Sequence, residues 1–405
     1  MTDTTIYNTY GSQFNKNYYI NLDITYAHRH KDFAVANKVF IAYEPSNINT
    51  VLGNMNNHSR VFGYGPSEQG FFRKVSDYNQ TAVVGENIVG MSALSKWDVP
   101  RKAQKTHTSP AKATESDVHY VAFVMSDGDN MAFLRGAFVN SADYYASPLR
   151  GTFTMNYDMT PSAADLHPQL MNYLYDKAST GAYKDYFVTA GGEGICFPSR
   201  VPDKTGYAAK AAAAMAKADH NVISILDESY NTTVMNNLTA QRQIIGGMYK
   251  TWDGGYKDRN GQITWHNGKP IVSVKYSLWD GIQTKEAIKD LLNAQPRSPL
   301  TNQGSYSIVN VHPWSNSTPP MANVKWIVDN LHPKVRVVTL EELMIHLRRN
   351  FGTPMPYPTL AKIAEWWLSA NCASGNGWCA ESDLDGDGKV NLNDFALYAE
   401  RWHNL

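Results

Sequence analysis

Two aspartates that flank a single glycine follow directly on a run of apolar residues. The run covers residues 121–125, and Asp127, Asp129 and Asn130 come after it. Glycosidic bond hydrolysis uses one carboxyl group that protonates a leaving oxygen and a second that attacks or activates water. Gly128 permits a positive φ and a close approach of a ligand. The stretch therefore predicts one wall of a catalytic pocket.

Carboxylates, a histidine and indoles also follow the other predicted strands. In a (β/α) barrel the catalytic side chains project from the carboxyl ends of the strands, so these residues are expected to meet at one mouth of the barrel. The catalytic candidates are Asp127, Asp129, Glu193, Asp227, Glu228 and His312. The candidates for contact with a sugar are Asn130, Asn156, Asp158, Trp279, Asp280 and Trp314.

Several of these candidates also have a purely structural interpretation. Aspartates just after a strand often cap the next helix, which would account for Asp158 and Asp280. Asp227 and Glu228 are adjacent, so their side chains point apart on an extended backbone and one of them is expected to be structural. His312 precedes a proline and is equally typical of a hydrogen-bonded core histidine.

The elements that must position these residues alternate along the chain. From about residue 117 to residue 350, about eight apolar runs typical of strands alternate with segments whose apolar residues recur every three or four positions. Such alternation predicts βαβ units and an α/β fold. We expect a (β/α) barrel-like domain over residues 117–350, irregular or with about seven or eight strands. An open doubly wound sheet is the alternative. Residues 1–116 predict an N-terminal α/β segment that packs on the barrel.

The last part of the chain has a different character. Residues 351–357 are rich in proline and predict a hinge, and residues 358–405 predict a small α-helical module. Within it, oxygen-bearing residues stand at the positions of a calcium-binding loop, with glycine at the sharp turn and valine at the apolar position. The predicted ligands are Asp383, Asp385, Asp387, Lys389 through its backbone carbonyl, Asn391 and Asp394. We expect a structural calcium ion and no organic cofactor.

Two cysteines and the polar first residues of the chain provide information about the cellular compartment of the protein. Cys372 and Cys379 bracket a short polar loop and are close enough for a disulfide, which would indicate an oxidising compartment; two free thiols are the alternative. The first residues lack the charged and then apolar pattern of a signal peptide. The chain is therefore either cytosolic or a form without its leader, and we expect a secreted or cell-surface protein.

The composition excludes some partners. Lysine and arginine together number 37, as do aspartate and glutamate, so no charge excess favours nucleic acid. No stretch approaches the roughly 20 apolar residues of a membrane span. The 24 tyrosines and 10 tryptophans suit sugar stacking, but they suit a large core equally well.

Residues 192–198, which read GEGICFP, resemble the signature of the GxGYxYP family of glycoside hydrolases. The stretches VAFVMSDGDNM, GYGPSEQGF and DYFVTAGGEG are also similar to this family, and the resemblance covers roughly residues 35–350. It implies an N-terminal α/β piece, a barrel-like domain and a carbohydrate substrate. Ile195 and Phe197 occupy the tyrosine positions of the signature, and Phe197 is expected at the substrate site. The calcium loop resembles dockerin-type repeats, which implies that a scaffold or cell-surface protein is a partner.

Three functions follow as hypotheses. The first is a secreted glycoside hydrolase acting through paired carboxylates. The second is a carbohydrate-binding or cell-surface protein without activity, because Ile195 and Phe197 lack the hydroxyl groups of the signature tyrosines. The third is a different carbohydrate enzyme, either a lyase or a deacetylase. The placement of Asp127, Asp129 and His312 loosely resembles that in polysaccharide deacetylase and related glycosidase barrels. A metal-dependent deacetylase is the weaker option, because the HxxxH spacing of its ligands is absent.

Overall fold

The computed structural model describes residues 2–43, 48–63, 65, 67–85, 88–109, 112–352, 360–373, 376–380, 382–385 and 387–402. Of the predicted hinge, residues 353–357 lie outside this set. The described residues form a mixed α/β fold with two sheets, one of four strands and one of 10 strands. None of the described helices combines the length and apolar character that a membrane span requires.

The N-terminal sheet is parallel and has the strand order β2-β1-β3-β4. Its strands are β1 (Tyr18–Leu22), β2 (Phe40–Tyr43), β3 (Arg60–Gly63) and β4 (Thr81–Val83). The helices of this part are α1 (Asp3–Tyr10), α2 (Lys31–Asn37), α3 (Ile48–Gly53), α4 (Glu68–Asp77) and α5 (Met91–Lys96). Helix α4 begins where Ser67 Oγ accepts a hydrogen bond from the amide of Gly70, at 3.2 Å.

The larger sheet contains the predicted strands, and helices separate most of its strands along the chain. Its strands are β5 (His119–Met125), β6 (Met155–Met159), β7 (Asp185–Ala190), β8 (Val222–Asp227), β9 (Gly246–Thr251), β10 (Ile263–His266), β11 (Lys269–Ser273), β12 (Tyr276–Leu278), β13 (Tyr306–Val311) and β14 (Val335–Val337). The helices are α6 (Met131–Phe133), α7 (Ala163–Leu166), α8 (Pro168–Lys177), α9 (Lys204–Ala218), α10 (Thr232–Ala240), α11 (Lys285–Asn293), α12 (Pro320–Asp329) and α13 (Leu340–Phe351).

One bent segment causes this sheet to curl. Strands β5 to β9 are parallel neighbours in chain order, while β13 pairs with the other edge of β5. Residues 269–278 pair first with β9, as β11, and then with β13, as β12. At the bend, the amide of Val274 donates to Tyr249 O at 2.9 Å and the amide of Lys275 donates to Ile308 O at 3.0 Å. The sheet is therefore curled and barrel-like, not an open doubly wound sheet.

Strand β5 is buried on both faces, as expected for a parallel strand covered on both sides. Val121, Phe123 and Met125 pack in a core that includes residues of α8 and α12. Tyr120 and Val124 belong to a second core that includes residues of α13. The alternation follows from the two-residue period of a strand. Because both faces are packed, the carboxyl end of β5 is held in a fixed position.

The C-terminal part has a small core of its own. Its helices are α14 (Leu360–Glu365), α15 (Gly377–Ala380) and α16 (Leu392–Trp402). Ile363, Cys372, Cys379 and Val390 are buried together, and the two cysteines form a disulfide. The guanidinium of Arg242, which follows α10, pairs with a carboxylate of this part and lies over the Trp378 ring at 4.3 Å. The module therefore contacts the barrel domain.

Candidate active site

A cavity of about 600 Å³ lies where the carboxyl ends of barrel strands meet loops of the N-terminal sheet. It is lined by Glu68, Val84, Gly85, Asp127, Asp129, Asn130, Ala132, Trp252, Tyr256, Trp279, His312, Trp314 and Ser315. The aspartates follow β5, Trp252 follows β9, Trp279 follows β12 and His312 follows β13. Six of the predicted site residues are thus brought together: Asp127, Asp129, Asn130, Trp279, His312 and Trp314.

The turn that carries the two aspartates is held by backbone contacts. Asp127 has a φ of +68°, a conformation that is uncommon for residues other than glycine. A Cβ on Gly128 would lie 1.6 Å from the carbonyl oxygen of Asp158, so only glycine fits there. The side chain of Asn130 caps α6 by accepting from the amide of Phe133 at 3.0 Å. Such a strained and well-supported turn presents its carboxylates in a fixed geometry.

His312 contacts one of these carboxylates. Its Nε2 lies 3.6 Å from Oδ2 of Asp127, and its ring stacks on Trp279 with 3.9 Å between ring centroids. Burial lowers the pKa of His312, and the charge of Asp127 opposes this only in part. The imidazole is therefore uncharged near neutral pH and can act as a hydrogen-bonding group.

Asp129 is a carboxyl group of the cavity whose pKa is shifted. Burial, and after it the charge of Asp127, raises the pKa of Asp129 to about 7. A carboxyl group that keeps its proton near neutral pH can donate it to a leaving oxygen. The turn therefore places a protonated carboxyl group, that of Asp129, beside the carboxyl group of Asp127.

A buried ion pair lies close to the aspartates. Lys250 Nζ is 2.6 Å from Oδ2 of Asp158, and both side chains are buried. Burial acts to lower the pKa of Lys250, but the charge of Asp158, reinforced by those of Asp127 and Asp129, raises it overall. The ammonium group therefore remains charged. Asp158, predicted to contact the sugar, instead pairs with Lys250 and does not line the cavity.

Three charged or aromatic residues of the cavity lining, and the buried Lys250 close to it, were missed by reasoning from the sequence. Lys250 follows the apolar residues Met248 and Tyr249 in β9, and a charged residue at such a position signals a buried partner. Glu68 lies in one of the stretches that resemble the family. Trp252 and Tyr256 follow β9 in a short aromatic and glycine-rich segment.

Glu193 does not lie in the cavity. Its Oε1 is 3.2 Å from Nη2 of the buried Arg60 in β3, which also pairs with Asp165 at 3.1 Å. Ile195 forms an antiparallel bridge with Ala82 of β4. The segment of residues 192–198 therefore joins the N-terminal sheet to the barrel, and the expectation that Glu193 faces Asp127 is corrected.

Asp227 and Glu228 are also outside the cavity. Asp227 accepts from the amide of Ser199 at 2.8 Å and from its hydroxyl at 2.6 Å, and burial raises the pKa of Asp227 to about 6. Glu228 accepts from Gln69 and from Arg73, each at 2.6 Å, and so holds α4 against the barrel. Both carboxylates fix loops and helices in place.

Three further candidates have structural partners in place of a sugar. Asn156 is buried, donates to Phe123 O at 2.9 Å and accepts from the amide of Leu340 at 2.7 Å. Phe197 packs edge-on against Trp252 in the core beneath the N-terminal sheet. The exposed Asp280 accepts from an amide of the loop that follows β13, at 2.5 Å. None of the three lines the cavity.

The predicted calcium loop lies apart from this cavity. One carboxylate oxygen from each of Asp383, Asp385 and Asp387 lies within 4.8 Å of the others. Asp394 turns its carboxylate toward the loop backbone and accepts from the amide of Asn391 at 2.8 Å. Such a wrapped group of oxygens fits the preferences of calcium.

Comparisons with known proteins agree with this architecture. The family model described as "GxGYxYP putative glycoside hydrolase C-terminal domain" matches residues 117–348, and "GxGYxYP third domain" matches residues 16–96. A crystal structure described as a "putative hydrolase" from Bacteroides thetaiotaomicron has a TM-score of 0.77 and 25% identity, over 87% of this chain and 70% of that one. A 4-alpha-glucanotransferase from Thermococcus litoralis reaches a TM-score of only 0.38 at 12% identity, over 69% and 50% of the chains, and carries no argument. No curated protein matches the chain.

Proposed function

Because the chain belongs to the GxGYxYP family, we propose that it is a glycoside hydrolase that acts in the cavity at the barrel mouth. The observation that carries this proposal is the pair Asp127 and Asp129, held on one fixed turn and facing a cavity lined with indoles. Glycosidic hydrolysis uses a protonated carboxyl group together with a second carboxyl group. Asp129 and Asp127 would supply this pair, with Asp127 in contact with His312.

In this proposal Asp129 gives its proton to the leaving glycosidic oxygen as the bond to the anomeric carbon breaks. Asp127 is the carboxylate that attacks that carbon or removes a proton from the attacking water. The contact with His312 orients Asp127. The charged Lys250 acts to lower the pKa of Asp129, but burial and the charge of Asp127 outweigh it, so Asp129 keeps its proton.

The aromatic residues would hold the sugar. Trp279 packs on His312 inside the cavity, whereas Trp314 is 49% exposed and is fixed by an edge-on contact with Phe133 at 4.4 Å. Indole faces pack on the C–H faces of pyranose rings, so both can contribute to sugar binding. The half-exposed ring of Trp314 suits a subsite at the cavity entrance.

The test is hydrolysis of a panel of 4-nitrophenyl glycosides and polysaccharides. Asp129→Asn is expected to lower kcat by about 10²- to 10⁴-fold on any substrate found. Asp329→Asn is the matched control, because Asp329 is an exposed carboxylate on α12 that pairs with Lys325. Full activity of Asp129→Asn would disprove the assigned site, and an unmodified chain that hydrolyses no member of the panel would disprove the activity.

The reason for considering a carbohydrate-binding protein without activity no longer applies. It relied on Ile195 and Phe197, and both are buried in the core beneath the N-terminal sheet, outside the cavity. Their missing hydroxyl groups therefore do not remove any group from the cavity. A deacetylase gains no support from the described residues. Their only group of three or more histidine, cysteine, aspartate or glutamate ligand atoms within 4.8 Å of one another is in the C-terminal module.

We also propose that the C-terminal loop binds one structural calcium ion through the side chains of Asp383, Asp385, Asp387, Asn391 and Asp394 and the carbonyl of Lys389. The spacing of the sequence and the converging carboxylates support this. Calorimetric titration with calcium should show one site. Asp385→Asn should weaken binding at least 10-fold, whereas Asp329→Asn should not. No heat change in the unmodified chain would disprove the site.

The disulfide between Cys372 and Cys379 supports the proposal that the protein works outside the cytoplasm, with its tail available to a scaffold or cell-surface partner. Mass spectrometry after alkylation, with and without reductant, tests the bond. Alkylation of Cys372 and Cys379, in addition to the free Cys196, in the unreduced protein isolated from its native compartment would contradict this location.

A further inference from the structure

Lys250 carries a positive charge into the interior of the curled sheet, next to the lining of the cavity. Its side chain is 5% exposed, and its ammonium group lies 2.6 Å from Oδ2 of Asp158. Lys250 is in β9 and Asp158 is in β6, with β8 and β7 between them in the sheet. Neighbouring strands lie about 4.8 Å apart, so the two side chains can meet only on the concave face of the sheet. The ammonium group also lies 5.5 Å from the centre of the Tyr256 ring, which lines the cavity.

The partner of Lys250 also supports the turn that carries the two catalytic aspartates. The carbonyl oxygen of Asp158 packs so closely on Gly128 that a Cβ there would lie 1.6 Å away. The amide of Thr160 donates to Gly128 O at 2.8 Å. The end of β6 thus holds the turn through its backbone and holds Lys250 through the side chain of Asp158. The ammonium group and the turn therefore have a fixed relative position.

Lys250 provides a positive charge that the cavity lining itself does not. Among the described residues that line the cavity, none is lysine or arginine. Burial raises the pKa of Asp129 to about 7, and the charge of Lys250 opposes this rise more strongly than the charge of Asp158 adds to it. The charged and titratable groups around the site, from all the elements that meet there, are Glu68, Asp127, Asp129, Asp158, Lys250, Tyr256 and His312.

We propose that Lys250 is a positioning residue of the active site, whose charge makes Asp129 release its proton more readily. The inference rests on the glycoside hydrolase activity proposed above and assigns a further residue to that site. As the proton of Asp129 passes to the leaving oxygen, negative charge develops on its carboxyl group beside Asp127. A fixed ammonium group stabilises this charge most effectively where water is excluded.

The experiment compares two variants that differ only at position 250. Asp158→Asn keeps Lys250, whereas the double variant Asp158→Asn with Lys250→Met lacks both charges and leaves no buried carboxylate unpaired. Above the pH optimum, activity on a given glycoside is lost as Asp129 releases its proton. We expect this alkaline limb to lie about 1 pH unit higher in the double variant than in Asp158→Asn, with the unmodified chain between them.

A lysine–aspartate pair elsewhere in the barrel domain provides the control. Lys217 on α9 pairs with Asp165 at 3.2 Å and does not line the cavity, so Lys217→Met should leave the alkaline limb unchanged. Circular dichroism and melting curves verify that each variant is folded. If Asp158→Asn does not fold, the double variant is compared with the unmodified chain, whose limb should lie lower. Equal limbs in folded variants that hydrolyse the glycoside would overturn the inference and leave the activity standing.

Titration of the carboxyl group itself provides a readout without turnover. In chains whose aspartates carry carbon-13 in the side-chain carboxyl group, the NMR signal that Asp129→Asn removes belongs to Asp129. Its midpoint should lie about 1 pH unit higher in the double variant than in Asp158→Asn. Equal midpoints would overturn the inference even if no substrate were found. A shifted midpoint in a chain that hydrolyses no glycoside would refute the proposed function alone and would leave the action of Lys250 on Asp129 standing.

Discussion

The turn after β5 and the segment after β7 share their sequence features but have different functions. Each has a carboxylate beside a glycine just after a buried strand. The turn after β5 presents Asp127 and Asp129 to a cavity. The segment after β7 turns Glu193 toward the buried Arg60, at 3.2 Å, and joins two domains. The direct ion pair with a buried arginine, and not the carboxylate or the glycine, distinguishes the joint between the domains, formed by residues 192–198 and Arg60, from the site.

The glycines in both regions have the same role. A Cβ on Gly128 would lie 1.6 Å from Asp158 O, and a Cβ on Gly194 would lie 2.4 Å from Ala82 O. In each case the absent side chain makes room for backbone of the protein itself. Glycine next to a carboxylate therefore indicates close packing in general, and a ligand only if a cavity is also present.

The largest predicted effect concerns the joint. Arg60→Met would leave Glu193 and Asp165 without their buried partner, and we expect the free energy of unfolding to fall by about 3–5 kcal/mol. Urea denaturation followed by circular dichroism measures it. Arg101→Met is the control, since Arg101 pairs with the same Asp165 from the surface and should cost less than about 1 kcal/mol. Equal losses in both variants would contradict a structural joint.

A smaller change at the joint separates stability from catalysis. Glu193→Gln keeps the shape of the side chain but removes the charge that faces Arg60, so we expect a loss of about 1–3 kcal/mol in unfolding free energy. Because Glu193 does not line the cavity, kcat of the folded variant should stay within about twofold of the unmodified chain. A fall in kcat as large as that expected for Asp129→Asn would contradict the structural role and would assign Glu193 to the active site.

Local patterns in the sequence predicted the elements more reliably than the contacts between them. The apolar runs predicted β5 and β7 to β9, while β6 lies later in the chain than the run that predicted it. The residues after β5 and β13 meet as expected for parallel strands that end at one mouth. The bend in residues 269–278 could not be predicted, because one continuous run pairs with β9 and then with β13. Pairing of this kind depends on how far the sheet curls, which no local pattern encodes.

The site was only partly predictable, because the partners that decide the role of a carboxylate lie far from it in the sequence. Asp127, Asp129 and His312 could be found because strand ends are visible in the sequence. The structural roles of Glu193 and Asp158 depend on Arg60 and Lys250, which are 133 and 92 positions away along the chain. A carboxylate at the end of a strand is equally typical of a catalytic and of a structural role. Only its partner in the folded chain distinguishes the two roles.

The raised pKa of Asp129 predicts a pH dependence of both stability and activity. The pKa is about 7 in the folded chain and about 3.9 when unfolded, so between these values the folded chain holds more protons. The resulting stabilisation is complete below about pH 4 and is lost as the pH rises through 7. At pH 8 we expect Asp129→Asn to be about 1–2 kcal/mol more stable than the unmodified chain.

Denaturation at pH 5 and pH 8 tests this sign. The difference between Asp129→Asn and the unmodified chain should grow with pH, while Asp329→Asn should show none. Activity should decline above about pH 7 in the unmodified chain, because the general acid loses its proton. A stability difference that shrinks as the pH rises would show that Asp129 is not a buried acid.

The smallest predicted effect lies at the cavity entrance. Trp314 is 49% exposed and contacts Phe133, so Trp314→Ala should cost only about 1 kcal/mol of stability. If the indole holds a sugar ring, KM should rise about 3- to 10-fold while kcat stays near its original value, because stacking contributes equally to the ground and transition states. Trp97→Ala, at a 62% exposed indole outside the cavity lining, should change neither constant. A fall in kcat with constant KM would instead place Trp314 beside the reacting bond.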